Sequence, residues 1–357
     1  MVRVSRVLLF VLSVSMSACT LDEGDREQMV NLQVVKDDPE VQLKNLNAAI
    51  ERSDRDGSLY ARRAVALLRV GKLEQALQDA EDAVRLTKNE PSSLFVKAQV
   101  LRALGRREEA LPLALQAERN SYQTSSLYVL LGELYLQRKE YDQARQYIQK
   151  AQQLAPTDEF AYYYKGRVQE ATRDTARAIQ NYKLALQQAP EFMEPQRELA
   201  AILVDKGDFA SAKPYLAKAR KVAQHDAKLW YNQGLVYQAE QKQDSAIQAL
   251  AKALSITDTL SGAHYRIGLY QYAAGNNEEA LLHLQKAYDA YKNKPEYLSK
   301  LAGAYERLSQ HAGALATYQR LVAIEPRYTY AYQAIARIKY KLAKPKPDSA
   351  AVRLQEY

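Results

Sequence analysis

The residues that most often carry chemistry are few in this chain, and their spacing does not suit catalysis. There is one cysteine, Cys19, and there are four histidines, His225, His264, His283 and His311. A lone thiol cannot form an intramolecular disulfide, and the scattered imidazoles lack the short spacings of a zinc site. The patterns G-x-x-x-x-G-K-[ST], H-E-x-x-H and G-x-S-x-G do not occur in the sequence. The sequence therefore predicts a protein that is not an enzyme and that holds no metal ion and no cofactor.

The remaining chemistry is recognition by aromatic and basic side chains. The chain has 26 Tyr against 5 Phe and 1 Trp. A tyrosine combines an apolar ring with a polar tip, which suits a surface that is only partly exposed to water. The formal net charge is +8, but Lys and Arg are mixed with Asp and Glu and form no basic block of five or more. This pattern favours general solubility and argues against binding to nucleic acid.

A strict internal 34-residue repeat predicts the elements that position these side chains. Three columns of small residues recur at this spacing, without insertion or deletion. The first column is Ala76, Ala110, Ala144, Ala178, Ala212, Ala246, Ala280 and Ala314. The second, twelve residues earlier, is Ala64, Ala98, Gly132, Gly166, Ala200, Gly234, Gly268 and Ala302. The third, seven residues after the first, is Ala83, Ala117, Ala151, Ala185, Ala219, Ala253 and Ala287, and Leu321 breaks it.

Each column has a physical reason in a chain of helical hairpins. Small residues in the first two columns let helix A and helix B of one hairpin approach closely, and the third lets helix B meet the next hairpin. Glycines between the two helices free the backbone for the turn, and prolines end helix B. The turn glycines are Gly71, Gly105, Gly207 and Gly275, and the prolines are Pro156, Pro190 and Pro326.

These coupled columns resemble the tetratricopeptide repeat family over residues 57–328. The signature is fullest in the run Trp-Tyr-Asn-Gln-Gly-Leu-Val-Tyr at 230–237, followed by Ala246 and Ala253. The resemblance implies an all-α fold, a right-handed α-solenoid (superhelix) of about eight TPR helical hairpins with capping helices at both ends. We expect the caps over residues 37–56 and 329–344.

The resemblance also implies a concave groove for a partner, because the second, fifth, ninth and twelfth residues of each unit point inward in that family. The residues that we expect to contact a partner there are Tyr163, Arg167, Arg197, Tyr231, Asn232, Tyr265, Arg266 and Tyr272. Some members hold a C-terminal carboxylate with five basic or amide positions, and Arg197, Asn232 and Arg266 match three of them. The alternative is that several of these tyrosines only cover the seams between helices.

The first residues predict a targeting signal rather than a folded domain. Residues 1–18 have a basic start and a ten-residue apolar stretch that is too short to span a bilayer, which is typical of a signal peptide. The segment Met-Ser-Ala-Cys ending at Cys19 resembles a bacterial lipobox, which implies cleavage before Cys19 and lipid attached to it. We expect an acidic flexible tether over 19–36 and a tail over 345–357.

Together these features favour a lipid-anchored protein of the cell envelope. The resemblance to Gram-negative lipoproteins implies the outer membrane, because the residue after the cysteine is Thr20 rather than Asp, and it leaves the periplasmic or surface side open. In this interpretation the protein is a scaffold lipoprotein that binds envelope proteins or peptides in its groove, within an assembly or secretion complex. The alternative function is binding of a carbohydrate, peptidoglycan or an exported polysaccharide, by stacking on the tyrosine-rich groove.

Overall fold

The computed structural model describes residues 38–343, and in this range helices alternate with short turns. The predicted signal peptide 1–18, the lipidation site Cys19, the tether 19–36 and the tail 345–357 lie outside the described residues. The described helices are α1 Pro39–Arg52, α2 Gly57–Arg69, α3 Leu73–Leu86, α4 Pro91–Ala103, α5 Arg107–Arg119, α6 Ser125–Gln137, α7 Tyr141–Leu154, α8 Glu159–Ala171, α9 Thr175–Gln188, α10 Met193–Asp205, α11 Phe209–Val222, α12 Ala227–Ala239, α13 Gln243–Ile256, α14 Ser261–Ala274, α15 Asn277–Lys286, α16 Tyr288–Tyr291, α17 Pro295–Arg307, α18 His311–Ile324 and α19 Thr329–Ala343.

The starting residues of the helices keep the 34-residue register along the described chain. The A helices α2, α4, α6, α8, α10, α12, α14, α17 and α19 each begin one repeat length after the one before, and so do the B helices from α3 to α18. In the first part of the chain, α2 and α3 pack as a hairpin, and this hairpin contacts α4. From α6 onward, each A helix packs with its B helix as a hairpin, and each hairpin contacts the next A helix. The predicted all-α repeat fold is therefore confirmed. Helix α1 begins one repeat length before α3, in the register of a B helix.

The chain divides into two compact units, residues 1–113 and 114–357. The division falls inside α5, next to Pro112, which interrupts the hydrogen bonding of that helix. The described part of the first unit holds α1 to α4, and that of the second runs from the end of α5 to α19.

Among residues 38–343, no helix combines the length and the apolar character needed to cross a membrane.

The small-residue columns do what their spacing predicts. All eight alanines of the first column are fully buried, from Ala76 to Ala314. Where the second column has glycine, a larger side chain of helix B fills the space. A Cβ on Gly166 would lie 2.6 Å from the Tyr182 ring, and one on Gly234 would lie 2.8 Å from Leu250. At these glycine positions a methyl group would displace the larger side chain of helix B, so the seam needs glycine there.

The turn from helix A to helix B has one left-handed residue in every hairpin, whether or not it is glycine. Four of the eight are the predicted glycines, with φ between 76° and 84°. The other four are Lys139, Arg173, Gln241 and Ser309, with φ between 56° and 65°. The sequence points to this turn only where glycine stands in it, since side chains are uncommon in the left-handed region.

Candidate partner-binding face

Six of the eight predicted groove residues lie on one face of the A helices, which we call the A face: the side chains at the second, fifth, ninth and twelfth positions of each 34-residue unit. Asn232 and Arg266 stand at the sixth position of their units. In hairpin four, the fifth-position Tyr163 is only 4% exposed. Its ring packs on Phe192, with centroids 5.3 Å apart, and on Tyr182 at 5.9 Å. Burial raises the pKa of Tyr163, so its hydroxyl stays neutral. Tyr163 is thus mainly a packing residue.

The two predicted groove arginines of hairpins four and five share one carboxylate. Arg197 Nη2 donates to Glu198 Oε1 at 2.8 Å, and Arg167 Nη1 lies 3.7 Å from the same oxygen. Arg197 Nη1 also lies 3.8 Å from an oxygen of Asp226, and Arg167 donates to the Tyr163 hydroxyl at 2.9 Å. Burial alone would lower the pKa of Arg197, but the hydrogen bond and charge of Glu198 outweigh it and raise the pKa. Both arginines therefore have acidic partners within the protein.

Hairpins six to eight present a different A face, built from half-buried tyrosines. The Tyr231 hydroxyl of α12 sits against Gly262 of α14, where a Cβ would lie 2.7 Å from the oxygen. One repeat later, Tyr272 of α14 sits in the same way against Gly303 of α17. A fifth-position tyrosine thus meets the second position of the next unit, and a twelfth-position tyrosine meets the ninth. Each glycine is a notch that holds a tyrosine tip.

Cations lie beside Tyr272, and further aromatic rings pack on Tyr265. The guanidinium carbon of Arg307 lies 3.9 Å from the centroid of the Tyr272 ring, within the range of a cation–π contact. The Tyr265 ring lies 4.4 Å from that of Tyr291 and 5.8 Å from that of Tyr297. Burial raises the pKa of Tyr265, Tyr272 and Tyr291. Their hydroxyls are therefore neutral and can donate hydrogen bonds at physiological pH.

The remaining two predicted residues sit in separate surroundings. Asn232 is 7% exposed inside α12. Arg266 Nη1 donates to Gln238 Oε1 at 2.7 Å, one repeat earlier on the A face. Three residues were predicted to match a carboxylate-holding site. Of these, Arg197 is paired with Glu198, Asn232 is buried, and Arg266 is hydrogen-bonded to Gln238. Contact of all eight predicted residues with a partner stays a prediction.

The structure separates the predicted residues into two groups and adds members that sequence reasoning missed. Tyr163, Arg167 and Arg197 gather around Glu198. Tyr231 and Tyr272 rest in the glycine notches, and Tyr265 packs on Tyr291 and Tyr297. Among the missed residues, Glu198 was detectable as the acid beside an arginine of the fifth position. Arg307 stands just past the twelfth position of α17, and nothing in the sequence pattern indicated that it lies on this face.

Within residues 38–343, no group of three or more His, Cys, Asp or Glu side chains is placed to hold a metal ion.

Comparison with known proteins agrees with this architecture. The Tetratricopeptide repeat family matches residues 95–159, 197–260 and 265–329, which is more than half of the chain. The human protein O-mannosyl-transferase TMTC1 is 27% identical over 163 residues, covering 44% of this chain and 18% of that protein. BBSome complex member BBS4 from Bos taurus is 21% identical over 275 residues, covering 77% of this chain and 53% of that protein.

The chain therefore spans about half or less of the length of these curated relatives. Among solved structures, the APC/C hetero-tetramer Cut9-Hcn1 superposes with a TM-score of 0.58 at 16% identity, covering 85% of this chain and 60% of that one. At that identity the likeness concerns the fold alone. The extent of the family match, in register with the observed hairpins, shows that the chain belongs to the tetratricopeptide repeat family of protein-interaction scaffolds.

Proposed function

We propose that this protein binds a segment of a partner protein along the A face of hairpins six to eight. The observation that carries the proposal is the set of half-buried tyrosines, Tyr231, Tyr265 and Tyr272. Tyr231 and Tyr272 rest in glycine notches, and Tyr272 also lies beside cations. Tyrosine and arginine are the residue types that most often anchor protein interfaces. Rings that are already held in place lose little conformational entropy when a partner binds.

The half-buried rings and their hydroxyls suit an extended peptide. The hydroxyls can donate to its backbone carbonyls while its apolar side chains stack on the rings. Two cations, Arg307 and Lys300, lie beside the Tyr272 ring. They favour acidic groups in the peptide, since Arg pairs well with carboxylates. We place this scaffold in the cell envelope, held to a membrane through lipid on Cys19, so that its partners are envelope proteins or peptides rather than nucleic acids.

A photocrosslinking residue at position 231 or 265 in cells of the source tests the groove. Tyr332, which is 50% exposed on α19, gives a matched control position. We expect one envelope protein to be captured from both groove positions and not from 332. The purified protein should bind the captured partner, and the double variant Tyr231→Ala/Tyr265→Ala should lose that binding while keeping its helical content.

Retention of glycans alone by the purified protein, abolished by the same double variant, would support the carbohydrate alternative and overturn the proposal. The anchor needs its own test. We expect Cys19→Ser to release the protein from the membrane fraction. A variant that stays in that fraction would show that the lipid on Cys19 does not hold it.

A further inference from the structure

A pocket opens between hairpins three and four, on the side of α8 opposite the A face. Helices α7, α8 and α9 form it, and its volume is about 510 Å³. A volume of this order is typical of small-molecule sites. Two buried side chains form its base, Ile148 and Val168, which are 1% and 2% exposed. The other side chains of its lining are polar or charged.

Most junctions between consecutive hairpins of the second unit are apolar at this place. Three positions that flank the small-residue columns lie there: the residue after the first-column alanine, the residue after the third-column alanine, and the residue before the second column of the next hairpin. Between hairpins four and five they are Ile179, Leu186 and Leu199, which pack in one apolar cluster. The junctions before hairpins seven and eight and before α19 have apolar or aromatic residues at all three positions.

The pocket occurs where these three positions are polar. Between hairpins three and four they are Arg145, Gln152 and Lys165, and all three line the pocket. The junction between hairpins five and six is polar too, but its cations are engaged within the protein. Lys213 pairs with Glu240, and the guanidinium carbon of Arg220 lies 4.6 Å from the centroid of the Trp230 ring. The polar junction of hairpins three and four therefore replaces apolar packing with an open, hydrophilic pocket.

The half-buried wall of this pocket presents hydrogen-bond donors. Lys165 Nζ donates to Gln152 Oε1 at 2.9 Å, and Asn181 Nδ2 donates to Gln169 Oε1 at 2.8 Å. The carbonyl oxygen of each glutamine is thus engaged, while its amide nitrogen can donate to a ligand. The ammonium group of Lys165 also has more than one N–H to donate. A wall of this kind favours a ligand that is rich in acceptors.

Charge favours an anionic group beside Lys165. At the mouth of the pocket, Arg145 pairs with Asp142 at 2.9 Å and Arg177 pairs with Asp174 at 3.1 Å. The hydrogen bond of Lys165 is to a neutral amide, which leaves its positive charge without compensation from that contact. A half-buried ammonium group forms strong, charge-assisted hydrogen bonds with a carboxylate or a phosphate.

We propose that this pocket binds a small organic anion that carries hydroxyl groups, such as a sugar acid or a sugar phosphate. Its carboxylate or phosphate pairs with Lys165, and its hydroxyl oxygens accept from the amide groups of Gln152 and Gln169. Hydroxyls also donate, which suits the carboxylate of Asp174 at the rim. Because the pocket and the A face lie on opposite sides of the hairpins, the small molecule does not compete with a protein partner.

Calorimetric titration of the purified full chain with glucose 6-phosphate, glucuronate and glucose tests the proposal. We expect saturable binding of at least one of the two anions and none of neutral glucose. The anion that binds more tightly identifies the acidic group of the ligand. Lys165→Met should weaken that binding at least about tenfold, since a charged hydrogen bond is lost. Lys183→Met is the matched control, at an exposed lysine one repeat after Gln149, and should keep the wild-type affinity.

Three results would overturn the proposal. The first is that neither anion binds, and the second is that Lys165→Met binds as tightly as the wild type. The third is that inorganic phosphate binds as tightly as glucose 6-phosphate, because the site would then recognise a free ion only.

The residues of the next junction provide a second test. The variant Arg145→Ile/Gln152→Leu/Lys165→Leu carries the side chains that stand one repeat later. It should melt at a higher temperature, because apolar side chains fill the pocket, and it should lose the binding. A folded variant with a lower melting temperature would show that the polar residues hold the junction together, which would overturn the proposal. If this variant does not fold, Lys165→Met decides. Neither test involves the tyrosine face of hairpins six to eight.

Discussion

Hairpins four and five and hairpins six to eight use the same register of the same repeat, yet their A faces differ. Tyr163 and Tyr231 both occupy the fifth position of their units. Tyr163 is 4% exposed, because Phe192 at the end of its own unit packs on its ring, whereas Leu260 stands at the equivalent place in hairpin six. Position in the repeat thus sets the direction of a side chain, and neighbouring residues decide whether it remains available to a partner.

The charged residues show the same contrast. On the A face of hairpins four and five, Arg167 and Arg197 form ion pairs with Glu198, so the positive charge there is largely neutralised within the protein. In hairpins seven and eight, the guanidinium of Arg307 lies over the Tyr272 ring and leaves ring and cation together at the surface. We conclude that the first region stabilises the array and that the second is the better candidate for binding.

The largest effect that separates the two regions should come from removing the equivalent tyrosines. Tyr163→Ala should lower the free energy of unfolding by about 3 kcal/mol, because a buried ring leaves a cavity between α8 and α9. Tyr231→Ala should cost about 1 kcal/mol or less, because its ring is half-exposed, but it should weaken partner binding. Urea unfolding followed by circular dichroism gives both values. Equal losses of stability would contradict the division into a packing and a binding region.

Removing the shared carboxylate should have an intermediate effect. Glu198→Ala should destabilise the second unit by about 1–2 kcal/mol, since it removes the carboxylate that two part-buried guanidinium groups share, although water screens them in part and Asp226 stays near Arg197. Glu191→Ala, at an exposed glutamate of the same hairpin junction, is the matched control and should be nearly neutral. The difference between the variants should shrink in high salt. A neutral Glu198→Ala would mean that Arg167 and Arg197 are free to bind an acidic partner.

The turns test the same two regions with a smaller effect. Arg173, in hairpin four, has φ 65°, where glycine is favoured, so Arg173→Gly should stabilise the protein by about 0.5–1 kcal/mol. Gly275, in hairpin seven, has φ 84°, and Gly275→Ala should destabilise by about 1 kcal/mol. Thermal melting of the two variants measures both shifts. A loss of stability in Arg173→Gly would show that its side chain contributes more than the backbone strain costs.

The sequence predicted the hairpins well because their seams depend on size alone. A residue such as Ala246 or Gly234 has one structural role, close approach, and its spacing is sufficient to show it. The state of the A face depends on pairs of residues from different units. Nothing in the type or position of Tyr163 predicts that Phe192 covers it, and the engagement of Arg167 by Glu198 joins residues 31 positions apart. The sequence could therefore place most of the candidate binding residues on one face of the A helices. It could not show which of them are covered or paired within the protein.

Hairpin seven also contains two histidines in contact with each other. His264 Nδ1 lies 2.9 Å from His283 Nδ1, and His264 Nε2 lies 2.8 Å from the backbone oxygen of Asp258. The carbonyl can only accept, so Nε2 of His264 donates to it and, in the neutral ring, Nδ1 accepts from His283. Burial, aided by the positive charge of Lys286, holds the pKa of His283 below its ordinary value of 6.5.

The smallest expected effect is therefore a pH dependence confined to this hairpin. The folded protein binds fewer protons at His283 than the unfolded chain, so the stability from this group is present above pH 6.5 and lost as the pH falls through the folded-state pKa. The melting temperature should fall more between pH 8 and pH 5.5 in the wild type than in His283→Gln. His225→Gln, at an exposed histidine, should keep the wild-type dependence. If His283→Gln retains the full pH dependence, another group is responsible and the histidine pair does not distinguish hairpin seven from hairpins four and five.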